Sequence, residues 1–307
     1  MSAGITNFRF VVAVTDPDWL AFVRHAEIAE LNFWRPGDAS VAATPGTPWL
    51  FYVARDKAIL GCAYFELYRR LPVWYAWEAF GHANGSGDVA SFLQKISLHR
   101  HRSVAQEDNI GCVALSSPLF FDDPIDFKRF AGVWTGRNPI KYFSVVEPQG
   151  SALWAAVGKR INLAPDASGS SASPLVLPNS VLVEPRLGQG AFRVLVAEAY
   201  ERRCVVTGER ALPALEAAHI KPYSLVRKHE LPNGLLFRAD IHRLFDQGYV
   251  SIEPSLRFRV SRAIREEFLN GQEYYEFDRR KIRAPMLETS APSAEYLEWH
   301  YSTVFKG

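Results

Sequence analysis

The segments LEAAHIKPYS at residues 215–224 and NGLLFRADIHRLFDQGYVSI at 233–252 decide the fold of the second half of this chain. LEAAHI reads as a strand, with His219 at the strand end. After a loop containing Asn233 and Gly234, LLFRADIHRLFDQGYVSI reads as strand, short helix and strand, with Gly248 as the stop of the helix. Asp240 is a candidate cap for that helix. His242 and Asp246 are four residues apart and share one helix face. Upstream, CVVTGER at 204–210 reads as a short strand ending in a turn at Gly208. QGAFRVLVAEAYERR at 189–203 reads as a helix with Phe192, Leu195, Val196 and Tyr200 along one side. The order is a hairpin followed by a helix.

A histidine at a strand end facing a histidine or carboxylate on a helix is the equipment for phosphodiester hydrolysis, which needs a base for water and a metal ion at the phosphate. An isolated His219 would default to a packed strand-end histidine. Asn233, in the loop before the second strand, can tie the His219 loop through its amide. Together with RLGQGAFR at 186–193, CVVTG at 204–208 and LEWHYSTVF at 297–305, these segments resemble the HNH nucleases of the ββα-metal fold, in the branch attached to restriction endonucleases. The resemblance implies His219 as general base, Asn233 as the structural asparagine and His242 as a metal ligand, with Asp246 at the further helical ligand position. Many members of the family carry His or Asp directly before the base, where this chain has Ala218. Asp240, Asp246 and Glu216 are the candidates to replace that donor. His and carboxylate donors without thiolates favour Mg²⁺ or Mn²⁺. Lys221 and Arg243 are the candidate phosphate contacts, in a region where Arg186, Arg193, Arg202, Arg203, Arg227, Lys228 and Arg238 also cluster. Glu198, Glu201, Glu209 and Glu216 are interspersed, so charge alone fits a solvated surface equally well.

A chain of 307 residues favours two domains. Its 48% hydrophobic and 22% charged residues are ordinary for a globular protein, and its net charge of +2 says little about partners. No apolar run reaches bilayer length, so no membrane partner is expected. The N-terminal MSAGITNFRFVVAVTDPDW lacks the pattern of a secretion signal, and the expected compartment is the cytoplasm. The three cysteines form no CxxC pair, which argues against a disulfide framework and a thiolate zinc site.

The Ser-, Ala- and Pro-rich stretch from 161 to 185 reads as a linker. Ahead of it, 1–160 holds strand-like runs at 49–54, 58–67 and 110–121 and helical patterns at 18–30 and 87–101, the latter with Asp88 or Ser86 as cap. Aromatic residues are dense in 31–85, and most of them must be core. LNFWRPG, PWLFYVA, ILGCAYFELYRRLP and AWEAFGHANG look like pieces of the PUA-like reader barrels, similar to EVE and SRA modules, that hold a flipped base. In such a pocket Trp34 and Trp77 are the candidate stacking rings and Asn32 the candidate edge-reading amide, with Arg35, Arg69 and Arg70 as candidates for flanking phosphates.

The expected fold is therefore α+β: a PUA-like β-barrel with flanking helices at 1–160, a linker, and a ββα-metal HNH domain at 186–307. The expected activity is a modification-dependent restriction endonuclease that flips 5-methyl- or 5-hydroxymethylcytosine out of double-stranded DNA and cuts nearby. A double-strand break needs two such sites, which implies a homodimer at least on DNA. Two alternatives stay open: a nucleic-acid-binding module with a degenerate nuclease, marked by Ala218, and an HNH nuclease that reads unmodified sequence.

Overall fold

The computed structural model describes residues 8–37, 40–130, 138–161 and 187–307. It divides into two compact units, Met1–Gly188 and Gln189–Gly307. The linker expected at 161–185 lies, Ile161 apart, outside the described residues, as does Arg186.

The first unit runs β1 (Arg9–Val14), α1 (Pro17–His25), β2 (Glu30–Arg35), β3 (Pro48–Val53), β4 (Ala58–Pro72), α2 (Val73–Phe80), α3 (Val89–Arg100), β5 (Asn109–Asp126), β6 (Ile140–Ser144) and α4 (Pro148–Ile161). The strands form one six-stranded sheet in the order β2-β5-β4-β3-β1-β6. β1 and β3 are parallel, and all other neighbours are antiparallel. This corrects the expected barrel: among the described residues no ladder joins the edge strands β2 and β6, so the sheet stays open. Alternation along a strand predicts the strand, whereas closure depends on tilt and stagger between strands far apart in sequence.

Both faces of the sheet are covered, which is why β1 and β2 each carry four consecutive buried residues. Phe10, Val12, Leu50, Ile59 and Phe143 meet Leu153 and Val157 of α4 on one face. The alternate residues serve the other face, where Trp19 of α1 makes edge contacts with Phe33 at 5.6 Å and Phe51 at 6.0 Å. Asp16 caps α1 by accepting from the Trp19 amide, and Asp88 caps α3 by accepting from Ser91. The sequence reading did not anticipate α2. Its β-branched and aromatic residues suggest extended chain, yet Val73, Ala76 and Phe80 bury one helical face.

The second unit contains α5 (Gln189–Ala199), β7 (Leu215–His219), α6 (Tyr223–Val226), β8 (Gly234–Arg238), α7 (Ala239–Asp246), β9 (Val250–Ile252), β10 (Phe258–Val260), α8 (Ala263–Phe268), α9 (Gln272–Tyr275) and α10 (Ala294–Thr303). β7 and β8 pair antiparallel, from Leu215 opposite Arg238 to His219 opposite Gly234, and α7 follows at once. α5 lies so close to β8 that a Cβ on Gly234 would stand 2.5 Å from Val196 Cγ2. At φ −116° this glycine is required by that close approach and not by a turn.

Two local expectations are corrected. CVVTGER is not a strand. The Gly208 amide donates to the Cys204 carbonyl (3.0 Å) and the Cys204 amide to Glu209 (2.9 Å), so the segment folds into a turn with Gly208 at φ +75°. Its apolar start is buried because the Val205 amide donates to Leu236, which sets the segment beside β8 without a ladder. Asp240 is not the cap of α7 either. Arg238 occupies the N-cap position, without a side-chain cap bond, and Asp240 sits in the first turn.

Candidate active site

His219 stands at the end of β7 with its ring stacked on Phe192 of α5, centroids 4.2 Å apart and planes 11° from parallel. Its Nε2 is 2.9 Å from Nδ1 of His229, whose own ring stacks on Tyr223 at 4.3 Å. Burial pushes the His219 pKa down to about 4, and the Arg193 guanidinium, with His229 and His242 whenever they are protonated, acts in the same direction. Burial lowers His229 as well. The first ring is therefore neutral at physiological pH, with one nitrogen lone pair available.

Asn233 holds the loop after His219. Its Oδ1 accepts from the Lys221 amide at 2.8 Å, its Nδ2 donates to the Lys221 carbonyl at 2.9 Å, and its own carbonyl accepts from Ile220. The side chain is fully buried. One residue thus satisfies both backbone groups of Lys221 and sets the direction in which the chain leaves β7.

His242 lies on α7 with Nδ1 2.7 Å from Glu216 Oε2 on β7 and Nε2 3.4 Å from Asp246 Oδ2, one helical turn on. A carboxylate only accepts, so Nδ1 of His242 donates to Glu216, and Nε2 is the nitrogen turned toward the Asp246 carboxylate, a ligand atom whenever it carries no proton. Two electron-rich donors face each other there, an arrangement that suits a hard divalent cation completed by water and phosphate oxygens. Glu216 then orients the imidazole from behind, as carboxylates do for metal-binding histidines. Among the described residues, no group of three or more His, Cys, Asp or Glu side chains is placed to hold a metal ion.

The other residues singled out in the sequence fall elsewhere. Asp240 makes a bidentate pair with Arg238 (2.7 and 2.8 Å) and accepts from Tyr274, which commits its oxygens away from His242. Arg238 holds the Asp240 carboxyl below the usual carboxylate range. Lys221 Nζ sits 5.5 Å over the Trp299 ring, and Arg243 is exposed on α7 beside His242.

In the first unit, Asn32 is fully buried on β2 and its Nδ2 donates to Asn84 Oδ1 at 2.8 Å, while its own Oδ1 has no partner among the described residues. Trp34 donates from Nε1 to the Asn84 carbonyl and packs edge-on to Phe92 and His99. Trp77 is half-buried between His82 and Phe92. Asn32 and Trp34 share Asn84, Trp34 and Trp77 share Phe92, and Trp77 meets His82, so the three lie about the short 3-10 helix Gly81–Asn84. The sequence reading missed His229, which lies in a loop without periodicity; its only signal was a third histidine between His219 and His242.

Residues 204–253 match the family model HNH_2, HNH endonuclease. This segment spans β7, β8, α7 and β9 and carries His219, His229, Asn233, His242 and Asp246, so the second unit contains an HNH endonuclease domain, a nuclease of the hydrolase class. No curated protein sequence matches the chain. Among solved structures, ASCH from Zymomonas mobilis is similar at TM-score 0.36 and 12% identity, covering 48% of this chain and 94% of its own. The N-terminal domain of Staphylothermus marinus McrB is similar at TM-score 0.26 and 11% identity, covering 43% of this chain and 86% of its own. No described helix is long and apolar enough to cross a membrane.

Proposed function

We propose that the chain is a two-domain DNA endonuclease in which the second unit hydrolyses phosphodiester bonds and the first selects the DNA by a modified cytosine. The observation that carries the nuclease reading is the neutral, aromatic-stacked His219 at a strand end, in a loop clamped by Asn233, within the segment that matches the HNH model. His219 takes the proton of the attacking water, and its depressed basicity keeps the lone pair free at neutral pH. His242 Nε2 and Asp246 would hold Mg²⁺ or Mn²⁺, with Glu216 orienting the ring. The bound cation supplies stabilisation of charge on the phosphate and the leaving oxygen. Lys221 and Arg243 hold flanking phosphates. The active sites of two protomers together sever both strands.

The reader assignment is supported by the grouping of Asn32, Trp34 and Trp77 and by the amide oxygen of Asn32, a buried acceptor without a partner among the described residues. A base read there is 5-methyl- or 5-hydroxymethylcytosine, flipped from the duplex at a cost of a few kcal/mol that stacking offsets. Because Asn84 occupies Asn32 and Trp34 at once, access requires the turn at 81–86 to move.

Matched DNA duplexes, unmodified or carrying 5-methylcytosine or 5-hydroxymethylcytosine, test both parts with Mg²⁺ present. Cutting confined to a modified duplex, and lost from it with Asn32→Ala, is expected. Equal cutting of all three would retain the nuclease and remove the reader.

A further inference from the structure

The stack Phe192, His219, His229, Tyr223 contains a constraint on how the base works. His219 has two ring nitrogens, and Nε2 already lies 2.9 Å from His229 Nδ1. Such a contact holds a single proton between the two nitrogens at neutral charge, so one ring donates and the other accepts. If His219 is the base, as proposed above, its free lone pair must be on Nδ1. Its proton is then on Nε2, which donates to His229 Nδ1, and the proton of His229 resides on its own Nε2. Both tautomers follow from one distance and one role.

The fold maintains that arrangement from several sides. Phe192 and Tyr223 each press on one of the rings, so neither imidazole rotates freely about its χ2 bond. Arg227, at φ +56°, donates its amide to the Tyr223 carbonyl at 2.7 Å and turns the chain after α6, which brings residue 229 back beside residue 219. Just past His229, Tyr296 of α10 donates its hydroxyl to Glu230, and the Ser293 amide donates to the Pro232 carbonyl. The loop is tied at both ends, to Asn233 and to α10.

We propose that His229 is the positioning residue of the base: by accepting from His219 Nε2–H it fixes the His219 tautomer and ring direction and leaves Nδ1 to take the proton of water. This rests on the nuclease reading above. The role matches that of the carboxylate or carbonyl which orients a catalytic histidine elsewhere. A neutral acceptor has a further effect. It does not hold the imidazolium as a carboxylate would, so the proton taken from water leaves more readily and His219 returns to its basic form.

The test uses the full chain. Nitrogen-15 NMR of the imidazoles reports tautomers without reference to activity, and the Nε2–H form is expected for both His219 and His229. His229→Ala removes the acceptor and admits water; kcat for DNA nicking should fall at least about tenfold with KM unchanged. The acid limb of its pH profile should rise, since the admitted water relieves part of the burial that holds His219 down and the charge of His229 is gone, leaving Arg193 and His242 as the charged groups near it among the described residues. His229→Asn places an amide oxygen close to the position of Nδ1 and should recover most of the rate and the parental limb. Parental kinetics in a folded His229→Ala, or a His229→Asn variant as slow as His229→Ala, would each overturn the proposal while leaving the nuclease standing; an Nδ1–H tautomer on His219 would overturn it together with the role of His219 as base. Failure of the parent protein to cut any DNA, with the expected tautomers seen, would instead overturn the nuclease reading beneath it.

Discussion

Asn233→Ala should damage the second unit well beyond the loss of one polar side chain. The fully buried Asn233 side chain satisfies both the amide and the carbonyl of Lys221, at 2.8 and 2.9 Å. Truncation leaves a donor and an acceptor without partners, each costing about 1–3 kcal/mol when buried. Lys221 is only half-buried, so water can reach part of the vacated space, and the lower end of that range applies. The expected destabilisation is roughly 2–3 kcal/mol by urea unfolding. Local and global effects can be separated by hydrogen exchange. The Lys221 amide, which donates to Oδ1, should lose protection, while the Ile220 amide, which donates to the Asn233 backbone carbonyl, should keep much of it. DNA nicking should fall as well, because the segment leaving His219 is no longer directed. A variant within about 0.5 kcal/mol of the parent, with Lys221 still protected, would refute the clamp.

Further expectations concern titration and metal. His300 stacks on Phe245 and donates from Nε2 to the Phe245 carbonyl, leaving Nδ1 to accept from Ser251. Burial holds its pKa down to about 4, against an ordinary value of about 6.5, so the unfolded chain binds the proton first as pH falls. Its contribution is intact above about pH 6.5 and is lost toward pH 4, amounting to about 2 kcal/mol between pH 7 and 5 by linkage. In His300→Gln that part of the acid sensitivity of urea unfolding should disappear. His219, also near 4, predicts nicking whose acid limb lies well below pH 6.5, and a limb at 6.5 would show the base to be unburied in the working enzyme. For the cation, calorimetric titration of Mn²⁺ should show affinity lost in Asp246→Asn, weakened about 10- to 100-fold in Glu216→Gln and unchanged in Asp240→Asn. Loss in the last variant would return Asp240 to the ligand set despite its pairing with Arg238.

The hairpin, its helix and the relation of His219, Asn233 and His242 were legible because they rest on local order: a strand end, an asparagine and a helix within 32 residues, 215 to 246. What local pattern could not supply was contact between distant segments. The pairing of Glu216 with His242 depends on how α7 folds back on β7, and that of His229 with His219 on a loop closed by Asn233. CVVTGER misleads for the same reason, since its apolar residues are buried beside β8 and not in a ladder. The open sheet of the first unit is likewise a property of strand stagger, invisible in the alternation of any one strand.

The most direct test of the central claim is nicking of a supercoiled plasmid carrying 5-methylcytosine, by the parent protein and by His219→Ala, with Mg²⁺ and with chelator. The account predicts nicking by the parent with Mg²⁺ only and a loss of at least about 100-fold in the variant, the scale of a general base. Undiminished nicking by His219→Ala, or none by the folded parent with any divalent ion, would contradict it.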